Sequence, residues 1–224
     1  MRVLIRTVGE LCITAGILLI FFVAYELWGT GAYTEHQQSL LAKQLTHTWT
    51  EMSRTDGKGD NATAVTHMPV HLGAGIALIR IPRLGANYHY VIVEGVDTLD
   101  LEKGPGHYPG TALPGQIGNF VVSGHRTTYL APFNQIDRLR AGDEILIDTE
   151  SDEYIYRVTG HQVVLPTNVS VIDSVPEHPN QQPTQALITL TTCNPKYSAA
   201  QRLIVFGVLE KTLPRVLGST SVGG

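Results

Sequence analysis

Cysteine is scarce in this chain, with two residues in 224, Cys12 and Cys193. Two cannot build the disulfide framework that staples small secreted folds. Cys12 falls inside an apolar run, which leaves Cys193 as a lone free thiol. Charge is scarce as well, at 16%, against about 25% in ordinary soluble domains. The formal net charge is −4 and no Lys/Arg cluster occurs. A chain that reads phosphate backbones carries a basic patch or stripe, so this composition argues against nucleic-acid binding. Neither His-Glu-x-x-His nor Cys-x-x-Cys is found, and the nine histidines are scattered. No metal and no cofactor is therefore expected. Internal repeats are missing, and so are long helical periodicities after residue 75, which disfavours a parallel sheet of alternating strands and helices.

Apolar residues are plentiful, at 43%, enough for one packed domain with appendages. Residues 8–28 are almost continuously apolar, and about 20 such residues cross a bilayer as a helix. Arg2 and Arg6 precede this run and no Lys or Arg follows until Lys43. That asymmetry places the N-terminus in the cytoplasm and the rest outside, with Tyr25 and Trp28 in the interfacial aromatic belt. A cleaved signal peptide is the competing reading, but the small-x-small cleavage pattern is poor here. Residues 33–52 carry Leu40, Leu41, Leu45, Trp49 and Met52 near helical spacing, predicting an amphipathic helix close to the membrane. Residues 53–75 have the small, polar, glycine-rich composition of a flexible linker. His67 and His71 within it are four apart, but Pro69 argues against the helix a metal pair would need.

From residue 76 short runs rich in Val, Ile, Thr and Tyr recur between turn signals, at 76–81, 88–94, 119–123, 144–148, 154–158, 161–165, 186–192 and 202–209. Asp97 is placed to cap a brief helix that ends at Gly104. The fold class is mainly β, a barrel with small helical insertions behind an N-terminal transmembrane helix. Four parts are expected: cytoplasmic tip and anchor (1–30), juxtamembrane helix and linker (31–75), barrel (76–211) and a C-terminal tail (212–224).

Cys193 closes an apolar strand-like run, and Asn194-Pro195 ends it, so the thiol is delivered to the barrel rim. A thiol needs a basic or cationic neighbour to act as a nucleophile. His125, in Ser123-Gly124-His125-Arg126, also lies just past a strand-like run. Arg202 opens the next strand and returns to the same rim if the two strands pair. A cysteine attacks a carbonyl to make a thioester, a histidine moves the protons, and a guanidinium supports the oxyanion or the substrate.

Thr189-Leu190-Thr191-Thr192-Cys193 resembles the sortase signature, Thr-Leu-x-Thr-Cys with an arginine shortly downstream, and Arg202 stands nine residues after Cys193. Gly124-His125-Arg126 resembles the setting of the sortase histidine. Residues 106–115 and 194–202 are similar to the class E sortases of actinobacteria. The resemblance implies an eight-stranded closed sortase barrel and a membrane-bound cysteine transpeptidase. Such an enzyme cuts a surface protein's C-terminal sorting signal between Thr and Gly and transfers it to an amine, typically on a peptidoglycan precursor. It implies that Cys193 is the nucleophile, His125 the acid/base and Arg202 the clamp or oxyanion stabiliser. Class E resemblance implies Leu-Ala-x-Thr-Gly signals over Leu-Pro-x-Thr-Gly, with Tyr108 as a candidate reader and Thr192 as a lesser substrate contact. No carboxylate partner for His125 is evident in the sequence. The Ser-His-Gly-Cys motif of L,D-transpeptidases is missing, and the residue order is wrong for a papain-like protease. The alternative from another class is a tethered, non-enzymatic barrel that binds wall polymer or an assembly partner.

Overall fold

The computed structural model describes residues 2–56 and 71–215. Helix α1 (Arg2–Ala24) runs through a π-helical turn (Tyr25–Gly29) into α2 (Thr30–Asp56). Helix α1 is long and apolar enough to cross a membrane, and none of it is buried against the rest of the chain. Strands β1 (Gly75–Arg80), β2 (His89–Glu94), β3 (Gly106–His107), β4 (Gly118–Ser123), β5 (Glu144–Asp148), β6 (Asp152–Val164), β7 (Ala186–Asn194) and β8 (Gln201–Pro214) follow, with a short α-helix, α3 (Thr98–Leu101), and three 3-10 turns between them. They close a barrel in the order β1-β2-β3-β4-β7-β8-β6-β5. The β2–β3 and β4–β7 pairs are parallel, and the rest are antiparallel.

Strand alternation fills the interior: Ile79, Ile92, Phe120, Val122, Ile145, Ile147, Ile188, Leu190, Leu203 and Val205 point inward and pack into one cluster. Buried Tyr156 joins them, its hydroxyl accepting from the Gly115 N–H at 2.8 Å. The intervening residues face outward, where a second apolar layer covers part of the barrel.

That layer is α2, and here the structure departs from the sequence reading. The helix extends beyond residues 33–52, and its apolar stripe faces the barrel. Leu41, Leu45 and Trp49, four apart, pack on the outer side of β1 and β2 against Leu78, Val91 and Val93. Gln38 covers a free stretch of the β2 edge, taking the Val91 N–H at 2.7 Å and donating to the Val91 carbonyl at 3.0 Å. The Arg215 guanidinium lies 4.0 Å from the centre of the Trp49 ring.

Other boundaries also move. Residues 53–56 of the expected linker continue α2; residues 57–70, including His67, lie outside the described residues, and His71 is exposed. The runs at 154–158 and 161–165 are one strand, bent by irregular register at Val158/Gly160. Strand β3 is too short to leave a periodic signal. Strand β8 continues past residue 211 to Pro214, paired with Asp152–Tyr154, so the tail starts later than expected. Asp97 does precede α3, but it caps through its backbone carbonyl, which accepts from Asp100 and Leu101 N–H at 3.0 Å each. The side chain of Trp28 is outside the described residues.

Candidate active site

Alternation along β7 sends Ile188 and Leu190 inward, so Thr189, Thr191 and Cys193 share the outer face. In the β7–β8 hairpin Cys193 is directly opposite Arg202, and Asn194 is opposite Gln201. Directly opposed residues lie on the same face. On the other side of β7, parallel β4 sets Ser123 beside Thr191. The pairing continues one step further, the Gly124 N–H donating to the Thr191 carbonyl at 3.1 Å. His125 is then two residues past Ser123, as Cys193 is two past Thr191. His125 thus follows β4 on one side of β7, and Arg202 opens β8 on the other, so both come from strand ends that flank the end of β7.

The loop after β4 fixes His125. The Thr192 hydroxyl donates to the Gly124 carbonyl at 2.7 Å, and the Phe133 N–H donates to the His125 carbonyl at 3.1 Å. A Cβ on Gly124 would stand 2.7 Å from the Phe133 ring, so the loop folds back this closely only over glycine. The His125 ring packs on Tyr129, centroids 5.0 Å apart. Burial lowers the imidazole below the usual histidine value, and nearby Glu102 opposes that shift. Among the described residues, His125 Nε2 is the buried side-chain polar atom without a hydrogen-bond partner. Such an orphan is costly in a fold and calls for an explanation, which a reacting group supplies.

Arg202 Nη1 donates to the carbonyls of Ala199 at 2.9 Å and Gln201 at 3.0 Å, which fixes the guanidinium over the β7–β8 turn. Cys193 is half-buried and in no disulfide. Thr192, expected as a substrate contact, is buried, points away from the thiol by alternation, and has its hydroxyl engaged on Gly124. Its geometry ties β7 to the loop that carries His125. Tyr108 N–H donates to the Val121 carbonyl at 3.0 Å, extending β3 on the outer face. Val121 is level with Thr189, four residues before Cys193, about 13 Å along the strand. The Tyr108 loop is anchored from below by buried His107, which meets Glu94 at 2.6 Å and Thr111 at 2.9 Å.

Two residues of this neighbourhood escaped sequence reasoning. Arg126 is 5% exposed and donates to the Cys193 carbonyl at 3.2 Å and to Asn194 Oδ1 at 3.1 Å, gripping the end of β7. Its next-door position to His125 was the available signal, but nothing local says that the side chain turns inward. Glu102 lies beyond α3 and receives the Tyr129 hydroxyl at 3.1 Å. Among the described residues no group of His, Cys, Asp and Glu converges to hold a metal ion.

Comparison with known proteins yields one family. The sortase domain model matches residues 79–210. Sortase SrtE1 of Streptomyces coelicolor is 34% identical over 221 residues, covering 95% of this chain and 59% of that protein. The chain thus spans less than two-thirds of that relative's length. Sortase D of Bacillus subtilis is 30% identical over 198 residues, covering 87% of this chain and 93% of that protein. The solved structure of sortase E from Streptomyces avermitilis is 39% identical, with a TM-score of 0.61, covering 67% of this chain and 97% of the other.

Proposed function

The chain belongs to the sortase family of cysteine transpeptidases, similar to its class E members, and from that premise we propose that it cleaves a Leu-Ala-x-Thr-Gly or Leu-Pro-x-Thr-Gly sorting signal between Thr and Gly through a thioester on Cys193. The family implies surface-protein substrates and amine acceptors. The acceptor here is a cell-wall amine. Arg2 and Arg6 ahead of α1 favour a cytoplasmic N-terminus, with the barrel on the outer side of the plasma membrane.

The observation that supports this reading best is Cys193 directly opposite Arg202 in the β7–β8 hairpin, with the His125 loop bonded to β7 from its other side. His125, neutral at pH 7 because burial lowers it, takes the thiol proton. The thiolate attacks the threonine carbonyl carbon, and the oxyanion is stabilised by the Arg202 guanidinium. The tetrahedral adduct collapses, the C–N bond to glycine breaks, and His125 returns its proton to the leaving amine. An acceptor amine then attacks the thioester, loses a proton to His125, and leaves as the new amide while the thiol re-forms. Tyr108, upstream on the same face, reads the second signal residue. Thr192 supports the site through the Gly124 carbonyl.

The test uses the full chain in detergent micelles with each signal peptide and an amine acceptor, with products separated chromatographically. Cys193→Ala and alkylated wild type are expected to give no product, and His125→Ala almost none. Normal product from a verified Cys193→Ala protein would overturn the assignment, and indifference to alkylation would favour a binding barrel.

A further inference from the structure

A carboxylate stands behind the histidine, reached through a tyrosine held in an unfavourable backbone conformation. Tyr129, Leu130 and Ala131 have successive φ values of 53°, 61° and 46°. Left-handed backbone at a residue other than glycine is unfavourable, and it persists only where surroundings impose it. The surroundings are explicit here. Tyr88 Oη donates to the Pro132 carbonyl at 2.8 Å, and the Ala131 N–H donates to the Thr128 carbonyl at 2.8 Å. The turn seats the Tyr129 ring against His125, centroids 5.0 Å apart, while the Tyr129 hydroxyl donates to Glu102 Oε1 at 3.1 Å. Glu102 is itself held from outside the barrel, because buried Thr34 of α2 donates to its backbone carbonyl at 2.7 Å.

We propose that Glu102 is the positioning carboxylate of His125, acting through Tyr129, and that the juxtamembrane helix holds this carboxylate in place through Thr34. The inference rests on the acid/base role given to His125 above. A catalytic imidazole must be held in one orientation and must carry positive charge transiently, and a carboxylate behind it serves both needs. Tyr129 fixes the ring face, and Glu102 lowers the energy of the imidazolium formed when the thiol proton arrives. The electrostatics agree in sign: burial lowers His125, and Glu102 raises it. Other charged or titratable groups nearby have their own partners or act on Tyr129. Tyr25 and Glu26, at the α1–α2 junction, raise the Tyr129 phenol alongside burial and Glu102. Asp100 and Lys103 face each other at 3.5 Å, and Arg126 is turned to Cys193, Asn194 and Asp137.

The test compares full-length wild type, Glu102→Gln, Tyr129→Phe, His125→Gln and, as a surface carboxylate of α2, Glu35→Gln. All are held in micelles and assayed with both signal peptides and triglycine across pH. Glu102→Gln is expected to lower kcat roughly tenfold, below the 10²–10⁴ expected for loss of the acid–base group itself. KM should change less than about twofold, since the residue touches no substrate. The limb of kcat/KM that titrates His125 should move to lower pH. Tyr129→Phe should shift the limb the same way by less, and Glu35→Gln not at all. An unmoved limb and wild-type kcat in folded Glu102→Gln would overturn the proposal, as would a loss confined to thermal stability. His125→Gln keeps the two readings apart. If it is inactive while Glu102→Gln matches wild type, only this inference fails; if it turns over normally, the role of His125 itself is refuted.

Discussion

Arg126 and Arg202 approach Cys193 from opposite sides and do different things. Arg126 is buried on backbone and amide acceptors, so Arg126→Ala leaves the Cys193 carbonyl and Asn194 Oδ1 without this donor. The expected cost is about 1–3 kcal/mol, visible as a lower Tm together with slower turnover. Arg202 sits at the rim with its fork steered by two carbonyls. Arg202→Lys should keep Tm and lose roughly 10²–10³-fold in kcat/KM, because a point charge does not replace a planar fork at an oxyanion. A fall in Tm equal to that of Arg126→Ala would assign Arg202 a structural role. His125 adds a pH dependence of stability. Its folded value lies below the unfolded one, near 6.5, so the unfolded chain binds the proton first. Stability from this group is full above that value and is lost as pH falls toward the lowered one. Wild type should therefore lose Tm relative to His125→Gln from pH 7 to pH 5; a difference that does not change with pH would contradict the burial argument. His125, Cys193 and Arg202 were legible as candidates because short motifs mark them, and the pairing of Cys193 with Arg202 because a hairpin joins their strands. Arg126 and Glu102 were not, since their contacts span 67 and 27 residues and no local pattern encodes them.

Among the elements, α2 changes the account most. Its spacing announced a helix, but Leu41, Leu45 and Trp49 suit a lipid interface and a barrel wall equally well, and only the tertiary structure decides between them. Leu45 is 4% exposed, and Leu45→Ala is expected to destabilise the barrel by about 2–5 kcal/mol, measured by denaturant unfolding of the full chain. A change below about 0.5 kcal/mol, the size typical of surface sites, would mean that α2 is not docked in solution. A soluble form beginning near residue 54 removes this helix and exposes Val91 and Val93. The strands were easier to read, because alternation writes burial directly into the order of residues. The single long β6 was split in the sequence reading, since Gly160 interrupts its strand-like run.

At the scale of the whole molecule, the apolar helix, the docked helix and the barrel form one continuous device. Helix α1 passes into α2 within five residues, and α2 starts where Gly31 lies beside Leu130 in the histidine loop. The loop that carries His125 thus lies close to the end of the apolar helix, and under the proposed function this is where a membrane-borne acceptor amine would be presented. The barrel was legible from regularly spaced short strands and its closure from the sortase resemblance, but the strand order was not, because β4–β7 is a parallel pairing across a long excursion of the chain. The central claim is a thioester on Cys193. Intact-mass spectrometry of the full chain, incubated in micelles with Leu-Ala-x-Thr-Gly and Leu-Pro-x-Thr-Gly peptides without acceptor, tests it most directly. The account requires a mass gain equal to the acyl fragment ending in threonine, located on Cys193 and discharged when an amine is added. A folded chain whose Cys193 alkylates readily yet carries no adduct while glycine-terminal product accumulates would contradict it.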